Sequence, residues 1–141
     1  MGMKNWLALV LIYQLKHWLA DYPLQGRYML GKFRDDWSFF LPLLAHAAVH
    51  GGMTFAITWF LVGWKAIFLA LFDTTIHFTM DRIKASKKYL GRFKPLTSDT
   101  APTATEAQWK SNNHFWWSLG LDQGVHHVTH YAIIWWCLTQ G

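Results

Sequence analysis

Four stretches of the chain are dominated by apolar residues, at about residues 5–20, 38–62, 64–82 and 114–139. None alternates with period two as the strands of a membrane barrel do, so all four read as helices. A helix that crosses a bilayer needs about 20 mostly apolar residues, within a range of about 17–25. The second and fourth stretches meet that length, and the first and third meet it with their flanks. Little more than Gly63 separates the second from the third, which predicts a tight helical hairpin. Residues 21–37 contain Pro23, Gly26 and Gly31 and are expected to lie at the interface. Residues 83–113 are polar, with Pro95, Pro102 and a Ser/Thr-rich middle. They are expected to form one long loop, with a short helix near Glu106. There is no internal repeat. The pattern predicts an all-α integral membrane bundle of four transmembrane helices, a single domain over residues 1–141.

Lys and Arg give this arrangement an orientation. Four spans place Lys4 and Lys65 on one side. They place Arg27, Lys32, Arg34, Arg82, Lys84, Lys87, Lys88, Arg92, Lys94 and Lys110 on the other. The positive-inside rule then puts both long connections in the cytoplasm and both termini outside. Trp6, Trp59, Trp64, Trp135 and Trp136 fall near the outer boundary of these spans. Trp18, Trp37, Trp109, Trp116 and Trp117 fall near the inner one, as expected of two aromatic belts. The apolar start carries no small-residue cleavage site and is expected to be a retained first span.

Composition agrees. Charged residues make up 15% of the 141 and aromatics 18%, with ten Trp, whereas soluble domains average about 25% charged. The formal charge of +5 is clustered beside apolar stretches. Lys87, Lys88, Arg92 and Lys94 are therefore expected to meet anionic lipid headgroups, with no nucleic-acid partner. Lys16, near the inner boundary, is expected to snorkel to the surface. Cys137, the lone cysteine, excludes an intrachain disulfide and is expected to serve packing.

Each span also carries two metal-capable residues four apart: His17 and Asp21, His46 and His50, His77 and Asp81, Asp122 and His126. Residues at i and i+4 share a helix face one turn apart. Asp73 precedes His77 by four, and His130 follows His126 by four. Asp21 and Asp81 fall at the inner boundary and the others within about three turns of it, a band of roughly 20 Å. Ionisable side chains facing lipid cost several kcal/mol, so these groups are expected to face inward and pair. Four buried aspartates with neutral histidines would carry excess negative charge, which one or two divalent cations would offset. Mixed His and carboxylate ligands suit zinc best, with iron or manganese as alternatives. A proton or ion pathway, or a hydrogen-bonded network without metal, would use the same residues.

The motif His17-Trp-Leu-Ala-Asp21-Tyr-Pro-Leu-Gln25, then Lys32, then His46 and His50, resembles an uncharacterised family of small bacterial and phage membrane proteins. So do His77-Phe-Thr-Met-Asp81-Arg-Ile-Lys84 and Asp122-Gln123-Gly-Val-His126. The resemblance covers nearly the whole chain. That family carries a domain-of-unknown-function label and so implies membership, not an activity. It adds Gln25, Lys32, Lys84 and Gln123 to the candidate site, and it implies a bacterial inner membrane. Asp73, His114, His127 and His130 lie outside its pattern. There is a looser likeness, by analogy, to membrane-bound metal-dependent hydrolases.

The function expected first is metal-dependent hydrolysis at the cytoplasmic face, on a lipid or a phosphorylated or acidic substrate. His17, His46, His50, His77, Asp81, Asp122 and His126 are the expected ligands, and Asp21 or Asp73 the expected general base. Gln25, Lys32, Lys84 and Gln123 would hold substrate. Transport of a metal ion or proton is the second reading, and a non-enzymatic phage or host membrane factor the third. A homo-oligomer is compatible with all three. No Gly-x-Ser-x-Gly elbow, phosphate-binding Gly loop or Cys-x-x-Cys pair is present. His46-Ala-Ala-Val-His50 has zincin spacing without the zincin Glu.

Overall fold

The computed structural model describes residues 3–93, 105 and 112–140. Four α-helices make up most of it: α1 (Met3–Asp21), α2 (Phe40–Val62), α3 (Ala66–Ala85) and α4 (Asn113–Gln140). No strand occurs among the described residues. The short helix expected near Glu106 lies outside the described residues. So do Lys94, Trp109 and Lys110, and the side chain of Lys4.

The helix ends follow local chemistry. Asp36 accepts a hydrogen bond from the Ser38 amide at 3.0 Å and caps a short 3-10 turn, Trp37–Phe39, that leads into α2. Pro42 then sits in the first turn of α2, where its missing N–H leaves no intrahelical bond unmade. Gly63 ends α2 with φ of 59°, and its amide donates to the Trp59 carbonyl. That left-handed conformation favours glycine. The turn Gly63–Lys65 then starts α3 at once, so the tight hairpin is present.

α2 and α3 pack against each other at close range. A Cβ on Gly51 would meet the Ala70 carbonyl oxygen at 2.8 Å and the Thr74 hydroxyl closer still. Small residues at such a crossing let two backbones approach. α3 runs three residues further than expected, to Ala85, and so carries Lys84 on the helix. The connection after α1 differs more. Arg27–Phe33 forms a 3-10 segment with Lys32 buried in it. Gly26 and Gly31 limit α-helix there, and the ion pair of Lys32 described below draws the segment against α2 and α3.

The distribution of polarity is inverted relative to a soluble protein. Large apolar side chains line the outside: Leu7, Leu11, Leu15 and Trp18 along α1, and Trp117, Leu121, Val128 and Trp135 along α4. Among the described residues, buried polar and charged side chains outnumber buried apolar ones. One apolar cluster closes the end of the bundle away from Asp21. It consists of Leu9, Tyr13, Leu69, Ile133, Ile134 and Cys137, so Cys137 does serve packing. The Trp side chains are mostly exposed near helix ends, among them Trp6, Trp37, Trp64 and Trp135. A helical stretch within Trp37–Arg92, of mean hydropathy 1.9, is long and apolar enough to cross a membrane.

The Gly51 contact yields a paired test. Gly51→Ala forces the α2 and α3 backbones apart and is expected to cost about 1–3 kcal/mol. Gly52→Ala enters open space and is expected to be neutral or to stabilise by up to about 1 kcal/mol. Thermal unfolding in detergent measures both. Equal loss at the two positions would count against the close crossing.

Candidate functional site

Four helix faces meet along the bundle axis, and each is polar over more than one turn. α1 presents Lys16, His17 and Asp21. α2 presents His46, His50 and Thr54, and α3 presents Asp73, His77, Asp81 and Lys84. α4 presents Asp122, His126 and His130. Spacings of three and four keep the sets of α2, α3 and α4, and His17 with Asp21 on α1, on one side of each helix. Three groups of potential ligands result, each with donor atoms within 4.8 Å of one another: Asp21, His46 and His50; Asp81, Asp122 and His126; His17, His77 and His130.

The deepest group surrounds Asp73. Lys16 Nζ donates to Asp73 Oδ2 at 2.6 Å, and the Thr54 hydroxyl donates to the same oxygen at 2.5 Å. His77 Nδ1 lies 3.1 Å from Asp73 Oδ1 and 3.2 Å from the Asp73 backbone carbonyl. Both neighbours are acceptors, so Nδ1 carries the proton and Nε2 keeps its lone pair. Lys16 Nζ also lies 3.3 Å from His130 Nε2. The expected snorkelling of Lys16 is therefore corrected. Its side chain is buried, because a charged partner inside the bundle is stronger than the reach to the surface. Asp73, expected as a general base, is fully enclosed by these partners.

The second group carries two lysines. Lys32 Nζ donates to Asp81 Oδ2 at 2.7 Å. Lys84 Nζ bridges Asp122 Oδ2 at 2.6 Å and Asp81 Oδ1 at 3.1 Å. His126 Nε2 lies 3.3 Å from Asp122 Oδ1, and the Gln123 amide donates to Asp122 Oδ2 at 3.1 Å. Burial pulls the Lys32 pKa below the ordinary lysine value, and Asp81 opposes that shift. Lys32 is thus inside the site, not at its entrance as the sequence suggested. Lys84 is partly exposed.

The remaining group has no lysine. Asp21 Oδ1 lies 3.0 Å from His50 Nε2 and 3.4 Å from His46 Nε2, and Asp21 Oδ2 lies 3.2 Å from His17 Nε2. No lysine or arginine among the described residues pairs with Asp21. Its side chain is 21% exposed, so this group opens to the surface. His46 joins it to the second group, with Nε2 also 3.3 Å from Asp81 Oδ2. The ring of His77 stacks between His50 and His126, with centroids 3.7 and 3.9 Å apart.

The structure brings together all seven residues singled out as ligands, with Asp21, Asp73, Lys32, Lys84 and Gln123. Gln123 Oε1 accepts from His17 Nε2 at 3.1 Å. Gln25 is half-buried in the turn after α1, and no side-chain hydrogen bond joins it to the cluster among the described residues. Lys16, Thr54 and His130 are members that sequence reasoning did not place in the site. The i+4 relation of His130 to His126 was the available signal.

Lysines change the charge argument. The four aspartates face three buried or nearly buried lysines, so with neutral histidines the excess is one negative charge rather than four. That excess is located at Asp21. Buried polar atoms normally find partners, yet Nδ1 of His17, His46, His50 and His126 and Nε2 of His77 have none among the described residues. A cluster with this many unmet ring nitrogens fits water or an ion as a further member.

A family model described as a protein of unknown function, DUF3307, matches residues 8–140. No curated protein and no solved structure matches the chain.

Removing one member of a buried ion pair costs about 3–5 kcal/mol, since the other charge is left without a partner. Lys16→Met and Asp73→Leu are each expected to lose stability of that order, and the double variant to recover most of it. Denaturant unfolding in mixed micelles measures the cycle. Single variants within about 0.5 kcal/mol of the parent, the usual range for surface positions, would refute the pairing.

Proposed function

The chain belongs to the DUF3307 family, and on its site geometry we propose that it is a metal-dependent hydrolase of the bacterial inner membrane. In this reading all four helices cross the bilayer, with the Asp21 end of the bundle at the cytoplasmic face. The inverted polarity of the helix faces, the lysine and arginine bias and the tryptophans near helix ends support that topology.

The carrying observation is the environment of Asp21. It is the one buried or half-buried aspartate of the cluster without a lysine, it is open to the surface, and imidazole nitrogens face it at 3.0–3.4 Å. A tetrahedral zinc ion with bonds of about 2.0–2.1 Å places its ligand atoms roughly 3.3 Å apart. Asp21, His46 and His50 would hold one divalent ion, and the open side of the group leaves a position for water, as catalytic zinc sites require. The ion would lower the pKa of that water and polarise a scissile phosphoryl or carbonyl group. His17, next to Asp21, is placed to donate a hydrogen bond to that carboxylate from Nε2 and so orient it. Such an ion suits an anionic oxygen of the substrate, so a phosphorylated or acidic compound fits, either soluble or lipid-borne.

Conduction of an ion or proton is less well supported. The polar axis stops at the apolar cluster of Leu9, Leu69, Ile133, Ile134 and Cys137, which would block a path to the far side.

Protein purified in mild detergent is expected to retain one divalent ion per chain, lost in both Asp21→Asn and His50→Ala. Zinc at about 100 times its dissociation constant is expected to stabilise the parent by about 2.7 kcal/mol and the variants hardly at all. Hydrolysis of a soluble phosphomonoester and of a phospholipid headgroup, assayed side by side, distinguishes the two substrate sources. A metal-free parent whose unfolding is indifferent to chelators and to added zinc would end the hydrolase reading.

A further inference from the structure

Hydrolytic sites that use two cations hold them about 3.5–4 Å apart on either side of the reacting group. Here the group beside the Asp21 site has the ligands for a second ion: two carboxylates and an imidazole, with donor atoms within 4.8 Å. It shares His46 with the first group, whose Nε2 contacts Asp21 at 3.4 Å and Asp81 at 3.3 Å. Yet three of its four carboxylate oxygens are already held by lysine. Lys84 Nζ is 2.6 Å from Asp122 and 3.1 Å from Asp81, and Lys32 Nζ is 2.7 Å from the other oxygen of Asp81.

From these contacts we infer that Lys84 and Lys32 are built-in replacements for a second metal ion, and that the Asp81–Asp122–His126 group becomes a metal site when both are made neutral. The charges require it. Two carboxylates and two ammonium groups sum to zero, so a divalent ion entering among them would add two uncompensated charges to a buried site. With both lysines neutral the group carries two negative charges, which one divalent ion offsets. The two ammonium groups arrive on separate elements, Lys32 on the 3-10 segment Arg27–Phe33 and Lys84 on α3. They converge on one carboxylate, and an incidental surface pairing would not bury both charges. Lysine offers only donors and no ligand atom while charged, so it fills the place of a cation without binding one. The inference takes the single ion at Asp21 from the proposed function, but the claim about the lysines can fail separately.

The test counts ions in the full-length chain. Zinc per chain is measured by elemental analysis after detergent purification, and cobalt(II) titration follows the number of absorbing sites. One ion in the parent, two in Lys32→Met/Lys84→Met and one in Lys32→Arg/Lys84→Arg is the expected result. Two ions in the parent, or no added ion in the folded Met double variant, overturns the inference while leaving the Asp21 site standing. No ion in the parent with one in the Met double variant supports the lysine claim and removes the proposed function. No ion in either removes both. Should the Met variant fail to fold without metal, refolding is repeated with zinc. Recovery that depends on zinc supports the inference, and failure to recover overturns it.

Discussion

A carboxylate held between packed helices needs a cation or strong hydrogen-bond donors within reach, and that requirement organises this molecule. Asp73, Asp81 and Asp122 each meet a lysine ammonium at 2.6–2.7 Å. The lysines come from α1, from the 3-10 segment and from α3. Helix positions are therefore tied by charge across the bundle, where a soluble protein would use packed aliphatic side chains. The apolar surface that such a core would bury is turned outward instead. Burying ion pairs is seldom a gain over an apolar core of the same shape, so their retention points to chemistry more than to stability.

Much of the arrangement was legible in the sequence. Pairs four apart in every apolar stretch placed His and Asp on common helix faces, and Gly63 marked the hairpin. The three lysines were harder. Lys16 lies near the end of an apolar stretch, where a long side chain ordinarily reaches the surface. Its partner Asp73 is 57 residues away, and nothing local to either shows the pairing. Lys32 and Lys84 entered the candidate site only through the resemblance, and then as groups that would hold substrate. Without the lysines, the aspartates seemed to carry four uncompensated charges, where the structure leaves one. The 3-10 fold of residues 27–33 was hidden for the same reason, since a contact distant in sequence holds that segment.

Within the cluster, position separates the groups by role. Asp73 with Lys16, Thr54 and His130 is deep and enclosed, and its backbone carbonyl faces His77 Nδ1 at 3.2 Å. Asp81 and Asp122 are neutralised but lie beside the opening. Asp21 combines access with an uncompensated charge, and His46 couples it to Asp81. A chemical event at Asp21 is thus one imidazole away from the lysine-bound carboxylates and one stacked ring, His50 on His77, away from the deep network.

The long sequence separation of the ion pairs also bears on how the chain is made. Lys16 emerges from the ribosome 57 residues before Asp73, and Lys32 emerges 49 residues before Asp81. Chains are built from the N-terminus at about 5–20 residues per second, so both ammonium groups wait several seconds for their counter-ions. The first helical pair is therefore held for that time with two lysines lacking their partners, and the arrival of α3 is the event that completes it.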